Sequence, residues 1–205
     1  MNGILYSYLL IMGVVVIGMI AGKLHLSPML CRKFVHMGVG FWWFVEMAML
    51  HTLALALIPP ITFIVLNTLT VILHKGESEK RHNYGLVYYP ISLVILVLFQ
   101  FKAGIDTRAC LWGILALAFG DSFAAIFGAW YQNGPRLPGY MRDKTLVGSL
   151  VMFVVTTSVG LAISHHLGAS LLVALVATIV EAVTPYGLDN ISIPVLATLV
   201  ASRLL

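Results

Sequence analysis

Residues 3–22 form an uninterrupted apolar run without a charged side chain, and this run restricts the fold more than any other feature. A membrane-spanning helix needs about 20 consecutive apolar residues. The whole chain of 205 residues is 60% hydrophobic and only 10% charged, whereas soluble domains carry about 25% charged residues. These proportions exclude an ordinary soluble globule, a nucleic-acid-binding protein and a disordered chain. The sequence therefore predicts an all-α, polytopic integral membrane bundle.

Polar and turn-forming residues divide the chain into about seven to eight predicted spans. We expect a single domain over residues 1–205, in which residues 1–22 form the first span and residues 27–205 carry the functional motifs. The expected spans cover residues 3–22, 35–50, 53–73, 85–101, 109–131, 145–165 and 169–184, followed by a short final segment to Leu205.

The distribution of Lys and Arg predicts the orientation in the membrane. With the N-terminus outside, nine of the twelve basic residues face the cytoplasm, which agrees with the positive-inside rule. The polar segments that carry the candidate site residues then open to the cytoplasm. The nine are Lys23, Arg32, Lys33, Lys75, Lys80, Arg81, Arg136, Arg142 and Lys144, and the three outside are Lys102, Arg108 and Arg203.

Asp121 falls in the middle of the fifth predicted span. An ionisable group at this depth is energetically expensive and is a functional candidate by default; the alternative is an Asp paired with Lys or Arg for packing. The small residues Gly120, Ala124 and Gly128 surround it and would let another helix, or a ligand, approach closely.

Glu181 is the second buried acid, near the end of the seventh predicted span, and Asp189 and Asn190 follow it. All three offer hard oxygen ligands, which suit Mg²⁺ rather than a soft metal. An Asp-Asn pair in a loop is also a common turn, so both interpretations stay open. Glu46 falls near the opposite membrane face and is expected to be structural.

Arg32 and Lys33 begin the second predicted span, and His36 lies one turn further on the same helix face. An Arg-Lys pair at a membrane boundary is either a topology anchor or a phosphate-binding pair. Arg would bind phosphate through its bidentate guanidinium and Lys as a point charge.

Lys144 and Thr145 precede Gly148 and Ser149 at the start of the sixth predicted span. The free N–H groups of a helix start, beside a lysine, form an anion site. Asp143 stands where a Walker A loop needs Gly, so the segment is not a P-loop. Together, the cations and acids of one membrane face suit Mg²⁺-nucleotide binding next to a lipid.

In this order, the motifs resemble those of the CTP-dependent polyprenol kinase family, which includes phytol, farnesol and dolichol kinases and the CTP-dependent diacylglycerol kinase. The last motif, Asp189-Asn190-Ile191-Ser192-x-Pro194, is most similar to the phytol kinase branch. Val147 stands where dolichol kinases often carry an acid. The motifs are Arg32-Lys33-x-x-His36, Gly120-Asp121-Ser122-x-Ala124-x-x-x-Gly128, Lys144-Thr145-x-x-Gly148-Ser149, and Glu181 with Asp189-Asn190-Ile191-Ser192-x-Pro194.

The resemblance implies transfer of the CTP γ-phosphate to an isoprenoid alcohol in the bilayer, with Mg²⁺ as cofactor and no nucleic-acid partner. It implies that Asp121, Glu181 and Asp189 are catalytic and bind the metal. Gly120, Ala124 and Gly128 would admit the acceptor tail. The implied nucleotide- and phosphate-binding residues are Arg32, Lys33, His36, Lys144, Thr145, Gly148, Ser149 and Asn190.

Two other functions compete with this interpretation. A CDP-diacylglycerol synthase also spans the membrane and uses CTP, but residues 187–194 lack the Arg between two acids that its signature carries. A proton- or ion-coupled transporter could use Asp121 and Glu181 as a relay. Transporters often show matched pairs of broken helices, and the sequence contains no such pair.

Overall fold

A computed structural model of the protein describes residues 2–73, 84–131, 135–137 and 144–205. In these residues the regular structure is helical, apart from an isolated bridge between Arg136 and Thr145. The helices are α1 (Asn2–Lys23), α2 (Pro28–Gly40), α3 (Trp42–Met49), α4 (Leu53–Leu73), α5 (Gly85–Ala103), α6 (Thr107–Leu115), a π-helical turn (Ala116–Asp121), α7 (Ser122–Trp130), α8 (Leu146–Ser164), α9 (Leu167–Val183) and α10 (Asp189–Ala201).

Five stretches of the described residues are long and apolar enough to cross a membrane: α1, α4, α5, the continuous segment Thr107–Trp130, and α8. Helices α9 and α10 are shorter and also apolar. The predicted all-α membrane bundle is confirmed, and the chain is an integral membrane protein. Its orientation stays a prediction, because Lys75, Lys80, Arg81 and Arg142 lie outside the described residues, as does Asp143.

The second predicted span differs from the structure at its start and in its middle. The helix begins at Pro28 rather than near residue 35, because the Ser27 side chain caps it by accepting a hydrogen bond from the Leu30 N–H and Pro28 occupies its first turn. The helix then breaks at Phe41, between α2 and α3. Arg32 and Lys33 therefore lie inside α2.

The segment Thr107–Trp130 is the centre of the bundle. Trp112, Ile114 and Leu117 are fully buried. Glycines allow the neighbours to approach: Gly113 lies against Pro194 and Thr198 of α10, and the Trp112 ring lies against Gly160 of α8. The π-helical turn in this segment ends at Asp121, and π-helical turns often occur at functional sites.

Helix α1 runs antiparallel beside α2 and α3. Gly18 lies against Val35, and Gly38 lies against Val14, so the two helices approach closely at both positions. Gly3 lies against Leu50 at the far end of this contact. These contacts fix the register of α1, which determines the walls of the cavity described below.

Replacing Gly113 with alanine is expected to lower the free energy of unfolding by about 1–3 kcal/mol, because the added methyl would collide with Thr198 and the Pro194 carbonyl. The matched control is Gly13→Ala in α1, where an added Cβ has no neighbour within 4 Å among the described residues. Thermal unfolding in detergent, followed by circular dichroism, measures both variants. Equal melting temperatures would contradict this packing of α6 on α10.

Candidate active site

Asp121 forms a buried ion pair between the π-helical turn and α2. The Lys33 ammonium donates a hydrogen bond to Asp121 Oδ2 at 2.5 Å, and both side chains are buried. His36 Nε2 lies 3.8 Å from the same oxygen. The His36 ring stacks on Tyr89 of α5, whose hydroxyl donates to the His36 carbonyl at 3.0 Å. The sequence predicted Asp121 as a site residue, and the structure pairs it with a cation that was predicted to bind phosphate.

Lys144 joins the start of α8 to two further segments of the chain. Its ammonium donates to Glu181 Oε1 at 2.6 Å and to Asp189 Oδ2 at 3.2 Å. Glu181 lies in the last turn of α9, and Asp189 begins α10. Burial opposes the charged ammonium, but the carboxylates of Glu181, Asp189 and Asp121 outweigh burial and raise the pKa of Lys144 above its ordinary value. Lys144 is therefore a permanent cation in the site.

Asn190 orders the turn that leads into α10. Its backbone N–H and its side-chain amide each donate to Asp189 Oδ1 at 3.0 Å, and the amide also donates to the Gly187 carbonyl at 2.9 Å. Gly187 adopts a φ of 80°, which glycine tolerates without strain. These contacts leave Asp189 Oδ2 directed to Lys144.

At the start of α8, backbone N–H groups are hydrogen-bonded to other groups of the protein. Thr145 caps the helix by accepting from the Gly148 N–H at 3.0 Å, and the Leu146 N–H donates to the Pro135 carbonyl at 3.0 Å. Free backbone donors were predicted to bind an anion here. Because two of them are already paired, anion binding at this point depends mainly on the Lys144 ammonium.

The small residues around Asp121 serve helix packing. A Cβ on Gly120 would meet Met152 and Thr156 of α8, and a Cβ on Gly128 would meet Thr145. A Cβ on Gly148 would lie 3.0 Å from the Ala124 carbonyl oxygen. The sequence allowed either a helix or a ligand against this face, and α8 fills it. The predicted gap for an acceptor tail at Gly120, Ala124 and Gly128 is therefore closed.

A cavity of about 1360 Å³ lies beside the ion pairs of Lys33 and Lys144. One end is polar, and the rest is walled by apolar residues of α1, α2, α4 and α5. Glu181, Thr145, Gly148 and Ser149 are not among its lining residues, although Glu181 is connected to it through Lys144. The predicted site residues that line the polar end are Arg32, Lys33, His36, Asp121, Lys144, Asp189 and Asn190.

Sequence reasoning missed Tyr89, which lines the cavity and positions His36. It lies inside an apolar span between another tyrosine and a proline, and no local pattern distinguishes it from a packing residue. Glu46 was expected to be structural. It accepts a hydrogen bond from Gln100 at 3.1 Å and is not among the residues that line the cavity.

The carboxylates fit a magnesium ion that is shared with phosphate rather than one held by protein alone. The described residues contain no group of three acidic, His or Cys side chains arranged to hold a metal. Mg²⁺ in nucleotide sites needs only one or two carboxylates, because phosphates and water complete its shell. Glu181 Oε2 is buried and has no hydrogen-bond partner among the described residues, so it is free to serve as such a ligand.

Comparison with known proteins gives the family. Neither a family model nor a solved structure matches the chain. A phytol kinase of Synechocystis sp. is 31% identical over 204 residues, an alignment that covers 92% of this chain and 85% of the relative. The chain belongs to the phytol kinase family. A probable chloroplastic phytol kinase of Triticum aestivum is 34% identical over 143 residues, 62% of this chain and 46% of that protein. Membership of the phytol kinase family confirms the resemblance inferred from the motifs and makes the chain a transferase of the kinase class.

Replacing Lys144 with methionine is expected to destabilise the protein, because Glu181 and Asp189 would keep buried charges without a cation. Breaking a buried ion pair costs about 3–5 kcal/mol, and we expect about 3 kcal/mol because the Lys144 side chain is 24% exposed. The matched control is Arg108→Met, which removes an exposed pair with Asp106. Exposed pairs contribute little, so this control should melt close to the wild type in detergent.

The pH dependence of stability, measured for the wild type and for Lys144→Met, tests the charge of Lys144. When folding raises the pKa of a lysine, the charged lysine contributes its full stabilisation at any pH below the unfolded pKa of about 10.4. This stabilisation is lost only as the pH rises through the pKa of the folded state. The stability difference between wild type and Lys144→Met should thus persist at about pH 9. Its disappearance between about pH 7 and 9 would contradict a raised pKa.

Proposed function

We propose that the protein is a CTP-dependent kinase that transfers the γ-phosphate of the nucleotide to the hydroxyl of an isoprenoid alcohol in the membrane. The observation that carries this proposal is the cavity, which joins a polar end with Lys33, Asp121 and Lys144 to apolar walls. A nucleotide needs the charged residues of the polar end, and a lipid alcohol needs the apolar walls. We further propose that residues 1–205 act as one domain with this site on the cytoplasmic side and the N-terminus outside.

The size of the cavity supports two substrates held side by side. Pockets for one small ligand measure roughly 300–1,000 Å³, and this cavity measures about 1360 Å³. The names of the relatives support the acceptor, because both are described as phytol kinases or probable phytol kinases. The choice of CTP as donor rests on the resemblance of the motifs.

Three cations would bind the phosphates of the donor. Lys33 and Lys144 lie at the polar end of the cavity beside the carboxylates. Arg32 also lines it and forms no ion pair with any described residue, so its guanidinium is available for bidentate binding of phosphate. Neutralising phosphate charge and holding the reactants in line are the main requirements of phosphoryl transfer.

Asp121 is the proposed base. Lys33 and His36 both approach Oδ2, so we assign proton acceptance to Oδ1. The acceptor oxygen forms a bond to the γ-phosphorus while the bond from this phosphorus to the β–γ bridging oxygen breaks. CDP leaves with the electron pair, and the hydroxyl proton moves to Asp121. Glu181 and Asp189 would hold Mg²⁺, joined by Asp121 where it does not take the proton, and the ion would neutralise charge on the phosphates.

Purified protein in detergent, supplied with γ-labelled CTP or ATP, Mg²⁺ and a set of lipid alcohols, tests the reaction. We expect label from CTP in an isoprenoid alcohol such as phytol or farnesol, and not in diacylglycerol. Asp121→Asn should lower kcat at least about 100-fold, the usual contribution of a general base. The matched control is Glu46→Gln, which changes a buried acid outside the cavity lining and should leave activity intact.

Other outcomes identify the competing functions. Release of pyrophosphate with phosphatidic acid, and no labelled alcohol, would assign the protein to cytidylyl transfer. Ion flux into liposomes without nucleotide would support transport. Equal activity of Asp121→Asn and the wild type would remove Asp121 from the mechanism.

Arg32→Ala should raise the KM for the nucleotide and change kcat little. Hydrogen bonds to a charged group contribute about 1.5–3 kcal/mol, so we expect KM to rise about 10- to 100-fold. Steady-state kinetics with varied CTP measures this, and Lys102→Ala, outside the cavity lining, is the control. A fall in kcat with unchanged KM would show that Arg32 acts in the transition state instead.

A further inference from the structure

The apolar part of the cavity has a depth that can be derived from the register of its helices. Gly18 lies against Val35 and Gly38 against Val14, so α1 and α2 run antiparallel and Ile11 reaches the level of Trp42. In the continuous helix α1, the residue level with Lys33 is Ile20, nine positions from Ile11, and an α-helix rises 1.5 Å per residue. Trp42 therefore lies about 13 Å along the helix axis from the charged end.

The opposite wall reaches the same depth. Asn67 of α4 donates to the Leu86 carbonyl of α5 at 2.8 Å, and these antiparallel helices then bring Pro60 level with Leu93. Tyr89 is tied to His36, and Leu93 lies one turn further from the charged end. Ile11, Trp42, Pro60 and Leu93 are all buried and line the cavity. These four residues form the floor of the cavity.

The opening lies at the other end. Met19 lines the cavity and is 63% exposed. By the register of α1, it is level with Phe34, next to Lys33. Leu86, also a lining residue, is exposed on the α5 side. The apolar arm, which we define as the cavity between the level of Lys33 and the floor, is thus open to the bilayer beside the charged end and closed by buried residues at the floor.

We propose that the apolar arm holds the hydrocarbon tail of the acceptor alcohol and that the floor limits the length of tail the enzyme accepts. This rests on the proposed function, whose acceptor is a lipid alcohol. The depth of about 13 Å is a little under half of the ~30 Å hydrocarbon core of a bilayer. A tail in the arm therefore stays within one leaflet while its hydroxyl reaches Asp121. A phytyl tail, which is longer than the arm when fully extended, must bend within the cavity, and a long polyprenol does not fit.

The first test narrows the arm. Val15 lines it midway between Ile11 and Gly18, whereas Val16 is exposed on the outer face of α1. We expect Val15→Phe to lower kcat/KM for phytol about tenfold or more and to affect geraniol, which has a shorter tail, much less. The matched control Val16→Phe should change neither value. Equal profiles of the two variants would overturn the assignment of the arm.

The second test deepens the arm and does not depend on the first variant folding. Trp42→Leu removes part of the floor, and its matched control is Trp43→Leu, since Trp43 is equally buried but is not among the lining residues. We expect the ratio of kcat/KM for a long polyprenol to that for phytol to rise about tenfold in Trp42→Leu only. An unchanged ratio would contradict the floor as the limit.

A binding measurement separates failure of this inference from failure of the proposed reaction. An isoprenoid alcohol with a diazirine at its tail end is crosslinked to the wild type, and the labelled residues are mapped by mass spectrometry. Labelling of Ile11, Trp42 or Leu93 supports the arm even where no alcohol is phosphorylated, a result that would remove the kinase proposal alone. Labelling confined to residues outside the arm, in a protein that does phosphorylate alcohols, would overturn the tail site alone.

Discussion

The compensation of buried charge by two lysines is the constraint on which the candidate site depends. Lys33 joins α2 to the π-helical turn through Asp121, and Lys144 joins the start of α8 to α9 and α10. An uncompensated charge inside a bundle is costly, so these pairs fix where the helices meet. Around the polar end, three cations then balance three carboxylates, of which Glu181 lies behind Lys144 and does not line the cavity. The six residues are Arg32, Lys33, Lys144, Asp121, Glu181 and Asp189.

This balance gives a physical reason for a divalent cation in the proposed reaction. A nucleotide triphosphate adds several negative charges to a group of side chains that is neutral without it. The lysines cannot neutralise the phosphates fully while they remain paired with Asp121 and Glu181. In the proposed reaction, a magnesium ion held by Glu181 and Asp189 would resolve this conflict, because it would supply positive charge that the paired lysines cannot. The unpaired Glu181 Oε2 is the first ligand we would assign to it.

The fold and the charged residues of the site could be predicted because a charge inside an apolar run is conspicuous in the sequence. Asp121 and Glu181 are two such residues. The partners of each charge could not be predicted, because they depend on the register of helices that lie far apart in sequence. The occupant of the gap expected at Gly120, Ala124 and Gly128 could not be predicted for a related reason. Gly120 and Gly128 favour close approach of any neighbour, and only the tertiary structure shows that the neighbour is α8.

The shape of the cavity also constrains how a product could leave. Under the proposed reaction, the new phosphate ester stays beside the cations that held the donor, while its tail lies in an arm closed at Trp42. Among the described residues, a sideways displacement at the charged end, beside Met19, where the arm meets the bilayer, is compatible with both ends. The charged head then follows the membrane surface and need not cross the hydrocarbon core, where moving a charge is expensive. Placing the opening at the charged end thus serves the entry of a neutral alcohol and the departure of a charged product equally.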